Sequence, residues 1–405
     1  MRYYNRTSIL SKGKTAELVM IYLSIITIYV SLLANFSLYY FTPALKVYWL
    51  FVYILFYFPL MLVNPNLLTR NKRILIAIVL GWSLFYFSYV ITNQSFPQGG
   101  ISVLAIECIM IVALKTEVLK KIFYVFCWTF SLFLVISCVE FIFFIIYSKG
   151  IVLAMVEREV STTQVFYHLP LNVVNAFNLF PRFQSLTEEP GLLGTLCAFL
   201  LFPTDDQKSL RFPWYVFLIS GLLSFSLAFY VLASIFFISK IKPPKILVAV
   251  FIIALIGFNV FKDHVNRLII ERTSDTEEID NRTTETFDRL IHLSYINNTL
   301  WLGNGDKKLS LQLIADGGNA GGKAFIYKYG IINTCVLFLA YSFIFIAISK
   351  SIGKESLFFL IVFWASFYQR QTIYTPYTMI VFIGEALLLG SKVKEMSYNK
   401  RGALN

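Results

Sequence analysis

Residues 182–191, which read Arg-Phe-Gln-Ser-Leu-Thr-Glu-Glu-Pro-Gly, place one cation and two carboxylates close together in the chain. Arg182 offers a planar fork of N–H donors, the geometry best suited to holding phosphate. A carboxyl group that is partly shielded from water has a raised pKa and can accept a proton from a hydroxyl group. Glu188 and Glu189 are therefore candidate general bases, and Arg182 is a candidate anion-binding residue.

The same stretch also has the pattern of a helix start. Ser185-x-x-Glu188 is the spacing of a capping box, and Pro190 suits the first turn of a helix. An apolar run over residues 192–202 follows directly. The glutamates could therefore act only in stabilising a helix terminus, and the sequence leaves this alternative open.

The elements that must position these residues are membrane helices. Hydrophobic residues fill 57% of the 405 positions and charged residues only 14%, with a mean hydropathy of +0.68. These values exclude a soluble globular protein. Apolar runs close to the ~20 residues that cross a bilayer recur along the whole chain. We predict an all-α polytopic integral membrane protein with a single transmembrane domain over residues 1–405.

The net charge of +12 does not indicate a nucleic-acid partner, because Lys and Arg lie in short clusters between apolar runs, where they report membrane orientation. The five cysteines all fall inside apolar runs and are predicted to be core residues rather than disulfide partners or metal ligands. The three histidines are scattered, without metal-ligand spacing. We predict no metal and no other cofactor.

Eleven apolar segments can be marked in the sequence. They cover residues 17–40, 45–63, 74–92, 101–114, 122–147, 190–203, 212–239, 246–261, 329–349, 356–369 and 372–390. The excess of basic residues in alternate short loops predicts a cytoplasmic amino terminus and follows the positive-inside rule as far as Lys208 and Arg211.

Segment 212–239 breaks this rule if it forms one span, because Lys240, Lys242 and Lys245 would then face outward. Its middle is small and polar, so we predict two short helices that meet near Ser224–Ser226 and return the lysines to the cytoplasm. This arrangement gives about twelve crossings, two of them short, with both termini cytoplasmic. Two long loops, at about 148–189 and 262–328, remain outside, and function is expected there.

The second long loop contains a predicted amphipathic helix over Glu285–Trp301, followed by Gly303-Asn304-Gly305 as a stop signal. Phe287, Leu290 and Ile291, with Ser294 beside them, share one helical face, which indicates a helix that lies on the membrane or caps a cavity.

Four arginines are interleaved with acidic residues in this loop, namely Arg267, Arg272, Arg282 and Arg289. They form either a solvated surface of balanced charge or a set from which one or two converge with Arg182 on a diphosphate group. Three acidic residues, Glu107, Glu140 and Glu385, lie inside apolar segments. Such groups face the bundle interior, either as proton carriers of a transporter or as partners of polar side chains.

In the order of these parts, the chain resembles the Wzy-type O-antigen polymerases and, more distantly, the O-antigen ligase superfamily. The resemblance rests on Arg182 through Gly191 leading into a span, the short hairpin around Leu222–Ser226, and a long loop in which Arg282 precedes Gly303-Asn304-Gly305. Asp316-Gly-Gly-Asn319 and Tyr329–Ile332 complete it. The family's ligases carry His-Asn where this chain has Gly318-Asn319, and the family's hairpin Ser-Arg-Gly is Ser226-Leu227-Ala228 here.

The resemblance implies a glycosyltransferase of the bacterial inner membrane that extends glycans on undecaprenyl diphosphate at the periplasmic face. It implies Glu189 or Glu188 as the base and Arg182 and Arg282 as stabilisers of the leaving diphosphate. Arg289, Arg267, Asn319 and Asp316 become substrate-binding candidates. It also implies membrane lipid and a chain-length regulator protein as partners.

Two alternatives remain. A ligase would transfer the same glycan to a different acceptor. A transporter or flippase of lipid-linked oligosaccharides would be expected to show two similar halves, short external loops and cations inside its central spans. This sequence has long external loops and no visible internal repeat.

Overall fold

The computed structural model describes most of the helical segments and parts of the long loops. The described residues are 3–33, 45–71, 73–74, 76–77, 81–83, 86, 90, 100–147, 152–157, 163–167, 173–175, 182–187, 190–205, 207–240, 285–305, 321–350, 354–367 and 375–402. The predicted apolar segment at 246–261 lies outside them.

The described part of the chain is predominantly helical, as predicted. Its helices are α1 (Tyr3–Leu33), α2 (Leu45–Val63), α3 (Gly100–Val112), α4 (Thr116–Tyr147), α5 (Pro190–Thr204), α6 (Arg211–Leu223), α7 (Leu227–Lys240), α8 (Glu285–Ile296), α9 (Gly321–Tyr329), α10 (Ile331–Ser349), α11 (Lys354–Phe367) and α12 (Pro376–Gly402). Short 3₁₀ turns lie at Pro65–Leu67, Lys208–Leu210 and Thr299–Trp301.

Three stretches of these helices are long and apolar enough to cross a membrane, within the part of the chain that the structure describes. They are Lys14–Leu32 in α1, Thr116–Tyr147, which is the whole of α4, and Ile331–Ser349, which is the whole of α10. Shorter apolar helices accompany them, among them α5 and α7. The protein is therefore a helical membrane protein.

The described part of the first long loop departs from the all-α prediction. It contains three short strands, β1 (Val152–Glu157), β2 (Thr163–Tyr167) and β3 (Val173–Asn175). They form an antiparallel sheet in the order β1-β2-β3, with an irregular register between Val152 and Ala154. Strands of three to six residues carry too little periodicity to be separated from loop in the sequence, which is why they were not predicted.

Basic loops that are distant in sequence gather at one end of the bundle. The contacts that join them are Asn71 Nδ2 to Ala347 O at 3.4 Å, Lys115 N to Leu67 O at 2.8 Å, the ion pair of Lys121 with Glu17, and Tyr124 Oη to Gln207 Oε1 at 2.8 Å. We call this the basic end. Its cations include Arg70, Arg73, Lys115, Lys120, Lys121, Lys208, Arg211, Lys240 and Lys350.

The predicted split of segment 212–239 is confirmed, because α6 ends at Leu223 and α7 begins at Leu227. Both helices pack against α5. Lys240, the last residue of α7, forms a 2.8 Å ion pair with Asp205 in the loop between α5 and α6. The chain therefore turns back at residues 224–226 and returns to the basic end, as the charge pattern required.

The core is formed around α5 and the first half of α12. From Pro376 to Leu389 only Thr378 is not buried, which fits the apolar residues on nearly all faces of this stretch, with Glu385 the buried charged residue within it. Phe359 and Phe363 of α11 pack against Phe382, whose ring lies 4.5 Å from that of Phe363. Three of the cysteines, Cys108, Cys127 and Cys197, are buried as predicted, but Cys335 is exposed on α10, which corrects the prediction for that residue.

The predicted amphipathic helix is present as α8. Phe287 and Ser294 are buried, and Leu290 and Ile291 are half-buried, so the predicted face points inward. With Leu300, Ala324 and Tyr327 this face forms a second, small apolar cluster.

The turn that follows α8 contacts the start of α10 through two glycines. Gly303 and Gly330 both have φ of 90°, and their backbones touch, so a Cβ atom on Gly330 would lie 2.6 Å from Trp301 O. Only glycine allows both the positive φ and this approach.

Candidate functional site

Arg182 is bound to the turn between α6 and α7. Its Nε donates to the carbonyl oxygen of Ser224 at 3.3 Å, and its Nη2 donates to that of Phe225 at 3.0 Å. The backbone N–H of the next residue, Phe183, donates to Leu223 O at 3.3 Å. The loop of residues 182–187, called the site loop below, is thereby fastened across the turn of residues Ser224–Ser226, called the tip.

The tip presents carbonyl oxygens because a helix ends there. The last turn of α6 carries carbonyl groups without intrahelical partners, and such groups attract a cation. Phe225 has φ of 46°, a left-handed conformation that reverses the chain. The hydroxyl of Ser224 donates to Gly221 O at 2.6 Å and closes the turn from inside. Arg182 therefore stabilises the tip as well as supplying positive charge.

Close packing of the tip on α5 depends on Gly194. A Cβ atom at this position would lie 2.6 Å from Ser226 Cβ and 2.9 Å from Ser224 Oγ. Real Cβ atoms do not approach their neighbours so closely, so only glycine allows the tip to rest on α5 here. The first turns of α5 thus meet the tip and the site loop in one place.

The site loop is also held from the side of α4. Ser185, which has φ of 50°, donates its hydroxyl to Ser137 Oγ at 2.9 Å. Since α5 begins at Pro190, Ser185 is too far from the helix to be its N-cap. The capping-box alternative is therefore wrong for Ser185, while the predicted helix start at Pro190 is confirmed.

Gln184, which lies between these two attachments, was not singled out in the sequence. Its side chain is 1% exposed, and its Oε1 has no hydrogen-bond partner within the described part of the chain. Thr187 closes the loop behind it by donating its hydroxyl to Gln184 O at 2.8 Å. A buried acceptor without a partner costs about 1–3 kcal/mol, so Gln184 Oε1 is a polar atom near Arg182 that a water molecule or a ligand group could satisfy.

An apolar groove begins beside the tip and runs toward the basic end. It has a volume of about 510 Å³ and lies between α7 and α11, with Thr195 of α5 at its wall. Its lining includes Leu227, Val231 and Ile235 of α7 and Phe358, Ile361 and Ser366 of α11. Val231 and Ile361 are 50% and 59% exposed, so the groove opens sideways.

Helices α6 and α7 are short for helices that cross a membrane. Helix α6 has 13 residues, which span about 20 Å, whereas the hydrocarbon core is about 30 Å thick. Both α6 and α7 have one end at the basic end, so neither reaches across. Arg182 is half-buried, and its bond to the carbonyl oxygen of Phe225 lies on the exposed side of the tip.

The predicted site residues are described only in part. Arg182 lies at the tip, and Arg289 is exposed on α8, which packs on α9. The other candidates, Glu188, Glu189, Arg267, Arg282, Asp316 and Asn319, lie outside the described residues. Their predicted convergence with Arg182 stays a prediction.

The acidic residues inside apolar segments face the protein, as predicted. Glu107 and Glu385 are 2% and 7% exposed, and Glu140 is half-buried one turn beyond Ser137 on α4. Glu107 is close enough to Tyr53 to interact with it electrostatically.

No model of a protein family matches this sequence, and no curated protein and no solved structure shows significant similarity to it. Function is therefore inferred from the geometry of the site. A half-buried guanidinium near one end of an open apolar groove can bind an amphipathic anion, with the charged group at the tip and the apolar part between α7 and α11.

Sequence reasoning missed most of the parts around Arg182. Ser137, Gly194 and the groove residues carry no motif, and they join the site only through packing between helices. Of the residues that the sequence did not identify, only Gln184 had a recognisable signal. It is a polar residue within the stretch 182–191, two positions after the proposed anion-binding residue Arg182.

Proposed function

We propose that this protein is a membrane glycosyltransferase that polymerises oligosaccharide repeat units carried on undecaprenyl diphosphate. The observation that carries the proposal is the cation of Arg182 bound to Phe225 O at the tip, two residues before Leu227, which lines one end of an apolar groove of about 510 Å³. A lipid-linked diphosphate matches this arrangement, because its negatively charged diphosphate would meet the cation and its long isoprenoid chain would meet the apolar groove. The groove would hold the part of the lipid nearest the diphosphate, and the sideways opening would let the rest remain in the bilayer.

In the proposed reaction, the terminal sugar hydroxyl of one lipid-linked unit attacks the anomeric carbon of the glycan on a second lipid. The new C–O bond forms while the bond from the anomeric carbon to the diphosphate oxygen breaks. Glu189 or Glu188 takes the hydroxyl proton as general base. The leaving undecaprenyl diphosphate keeps the electron pair, and Arg182 and Arg282 stabilise its charge.

Glu188 and Glu189 are the neighbours in sequence of Thr187 and Pro190. The structure holds Thr187 in the site loop and Pro190 at the start of α5, which supports a base close to Arg182. Arg289, Arg267, Asn319 and Asp316 are proposed to bind the glycan and the second lipid-linked unit from the second long loop. We assign the arginines the charge-stabilising part that a divalent metal has in other glycosyl transfers.

The proposal includes the membrane arrangement predicted above. The chain crosses the bacterial inner membrane about twelve times, with the basic end and both termini in the cytoplasm. The site loop and the second long loop then open to the periplasm, where lipid-linked glycans become available after flipping. A chain-length regulator protein is the proposed partner.

The deciding experiment is gel analysis of surface polysaccharide from a strain in which the gene is deleted. Loss of all bands beyond a single repeat unit, with restoration of the ladder by the plasmid-borne gene, is expected. Full-length polymer that stays on the lipid carrier would instead indicate a ligase, and the accumulation of cytoplasmic-facing repeat units would indicate a flippase.

A second experiment uses the purified protein with lipid-linked repeat units. Elongation should continue in the presence of EDTA. A strict requirement for a divalent metal would contradict the charge-stabilising role given to the arginines.

A further inference from the structure

Helix α8 has an exposed apolar surface in addition to its inward face. Phe287 and Ser294 are buried against α9 and the turn that follows α8. That packing leaves out Leu293 and Ile296, which are 47% and 59% exposed. The internal cluster therefore does not account for the second set of apolar side chains.

The exposed residues of α8 include an apolar group on one side of the helix. At about 100° per residue, Arg289, Leu293 and Ile296 lie within about 60° of one another, and Asp288 lies on a different side of the helix. Asp288 pairs with Lys323 of α9 at 3.1 Å, so the acidic side is turned toward the protein. The apolar flank carries Arg289, with Glu285 one turn before it on the same stripe.

The turn after α8 continues this surface. Leu300 is buried, but the two residues after it, Trp301 and Leu302, are 47% and 43% exposed. Tryptophan is the residue type most favoured at the boundary between lipid and water, where its ring is apolar and its N–H can meet polar headgroups.

The contact between Gly303 and Gly330 fixes the level of this surface relative to the bilayer. Gly330 directly precedes α10, which spans the membrane from Ile331, and the opposite end of α10 contacts the basic end through Ala347. Trp301 and Leu302 therefore lie at the membrane boundary on the side opposite the basic end.

We propose that the flank of Arg289, Leu293 and Ile296, together with Trp301 and Leu302, inserts into the headgroup region of that leaflet. The occupant of this surface is the bilayer itself. The apolar side chains enter the upper acyl region and α8 lies along the membrane surface, at a level where Arg289 reaches phosphate groups, those of membrane lipids or those of the lipid-linked unit proposed above. The proposal does not depend on the enzymatic activity.

Spin labels on single introduced cysteines provide the test, in the full-length protein in nanodiscs that contain anionic lipid. Cys335→Ser and Cys138→Ser remove the native thiols that are not fully buried. Labels at Leu293, Ile296 and Leu302 should collide more often with oxygen, which dissolves in lipid, than with a water-soluble nickel chelate. A label at His292, which lies about 100° around the helix from Leu293, should show the reverse order.

Equal access of the nickel chelate to the labels at Leu293 and His292 would overturn the proposal. Should a labelled variant fail to fold, carbene footprinting of the unmodified protein in liposomes answers the same question. A lipid-soluble reagent should modify the peptides that contain Ile296 and Trp301, and a water-soluble one should not. Strong modification by the water-soluble reagent would contradict membrane insertion.

Discussion

The Nη2 atom of Arg182 lies 3.0 Å from the carbonyl oxygen of Phe225, a residue 43 positions further along the chain. This bond ties a loop before α5 to the point at which α6 turns into α7. The guanidinium thus has two roles that experiments can separate, since it stabilises the turn and it adds positive charge beside the groove.

Replacement of Arg182 by Ala is expected to lower the elongation rate by about 100-fold or more, because a positioned donor for developing charge is lost. It should also lower the free energy of unfolding by about 2 kcal/mol, since charge-assisted hydrogen bonds are lost. Arg182→Lys keeps the charge without the planar fork and should fall between these values. Elongation with purified protein and thermal unfolding in detergent measure the two effects. A loss of stability with an unchanged rate per folded molecule would restrict Arg182 to a structural role.

Gly194→Ala is expected to push the tip away from α5, because the new Cβ would lie 2.6 Å from Ser226 Cβ. The cost of such overpacking is about 1–3 kcal/mol, and activity should fall with it. The double variant Gly194→Ala with Ser226→Gly removes two of the three atoms that lie under 3.0 Å from the new Cβ and should recover part of the stability. Thermal unfolding of the three proteins tests this, and equal stability of the two variants would contradict the packing described.

Val231→Trp is expected to narrow the groove and to raise the KM for long-chain lipid substrates more than for short-chain analogues. The matched control is Val139→Trp on α4, since Val139 and Val231 are both 50% exposed but only Val231 lines the groove. Elongation rates with carriers of two lengths provide the measurement. Equal effects of the two substitutions would show that the groove does not hold the lipid.

The pH dependence of stability is expected to reflect Lys328. Burial lowers the pKa of Lys328 from 10.5 to about 8, although its ammonium lies 4.8 Å from the centre of the Tyr329 ring. The folded state therefore releases this proton at lower pH than the unfolded state, so stability should rise as the pH increases from about 8 to 10.5.

Lys328→Met should raise the melting temperature below pH 8 and flatten this rise, as thermal unfolding in detergent between pH 7 and pH 10 would show. Lys323→Met is the control on the same helix and should leave the slope unchanged. The same slope in wild type and in Lys328→Met would mean that another group is responsible.

Labelling of introduced cysteines should place Lys208 and Lys240 on the same side of the membrane, because the pair of Lys240 with Asp205 holds both at the basic end. An impermeant thiol reagent should reach both only from the cytoplasm. A cysteine at Asn298, an exposed position after α8, should react from the periplasm. Opposite reactivity of the cysteines at Lys208 and Lys240 would contradict the hairpin, and labelling of both from the periplasm would invert the topology.

The local features of the fold could be predicted from the sequence because each depends on neighbouring residues. Apolar runs mark the helices, Pro190 marks the start of α5, and Gly303 marks the end of the turn after α8. The division of segment 212–239 was predicted from charge, since Lys240 had to return to the side of Lys208. The pattern of α8 likewise identified its buried face.

The partners of the site residues were decided by the tertiary structure alone. Arg182 binds carbonyl oxygens of the backbone, which every residue carries, so no sequence pattern names them. Ser185 meets Ser137 across 48 positions, and the groove is assembled from helices α5, α7 and α11. The sequence determined which segments enter the membrane and where the chain turns. Packing between helices that are distant in sequence decided which groups each charged or polar side chain contacts. The hydrophobic effect drives these helices to pack together, but it is non-directional, so the sequence pattern does not specify which helices become neighbours.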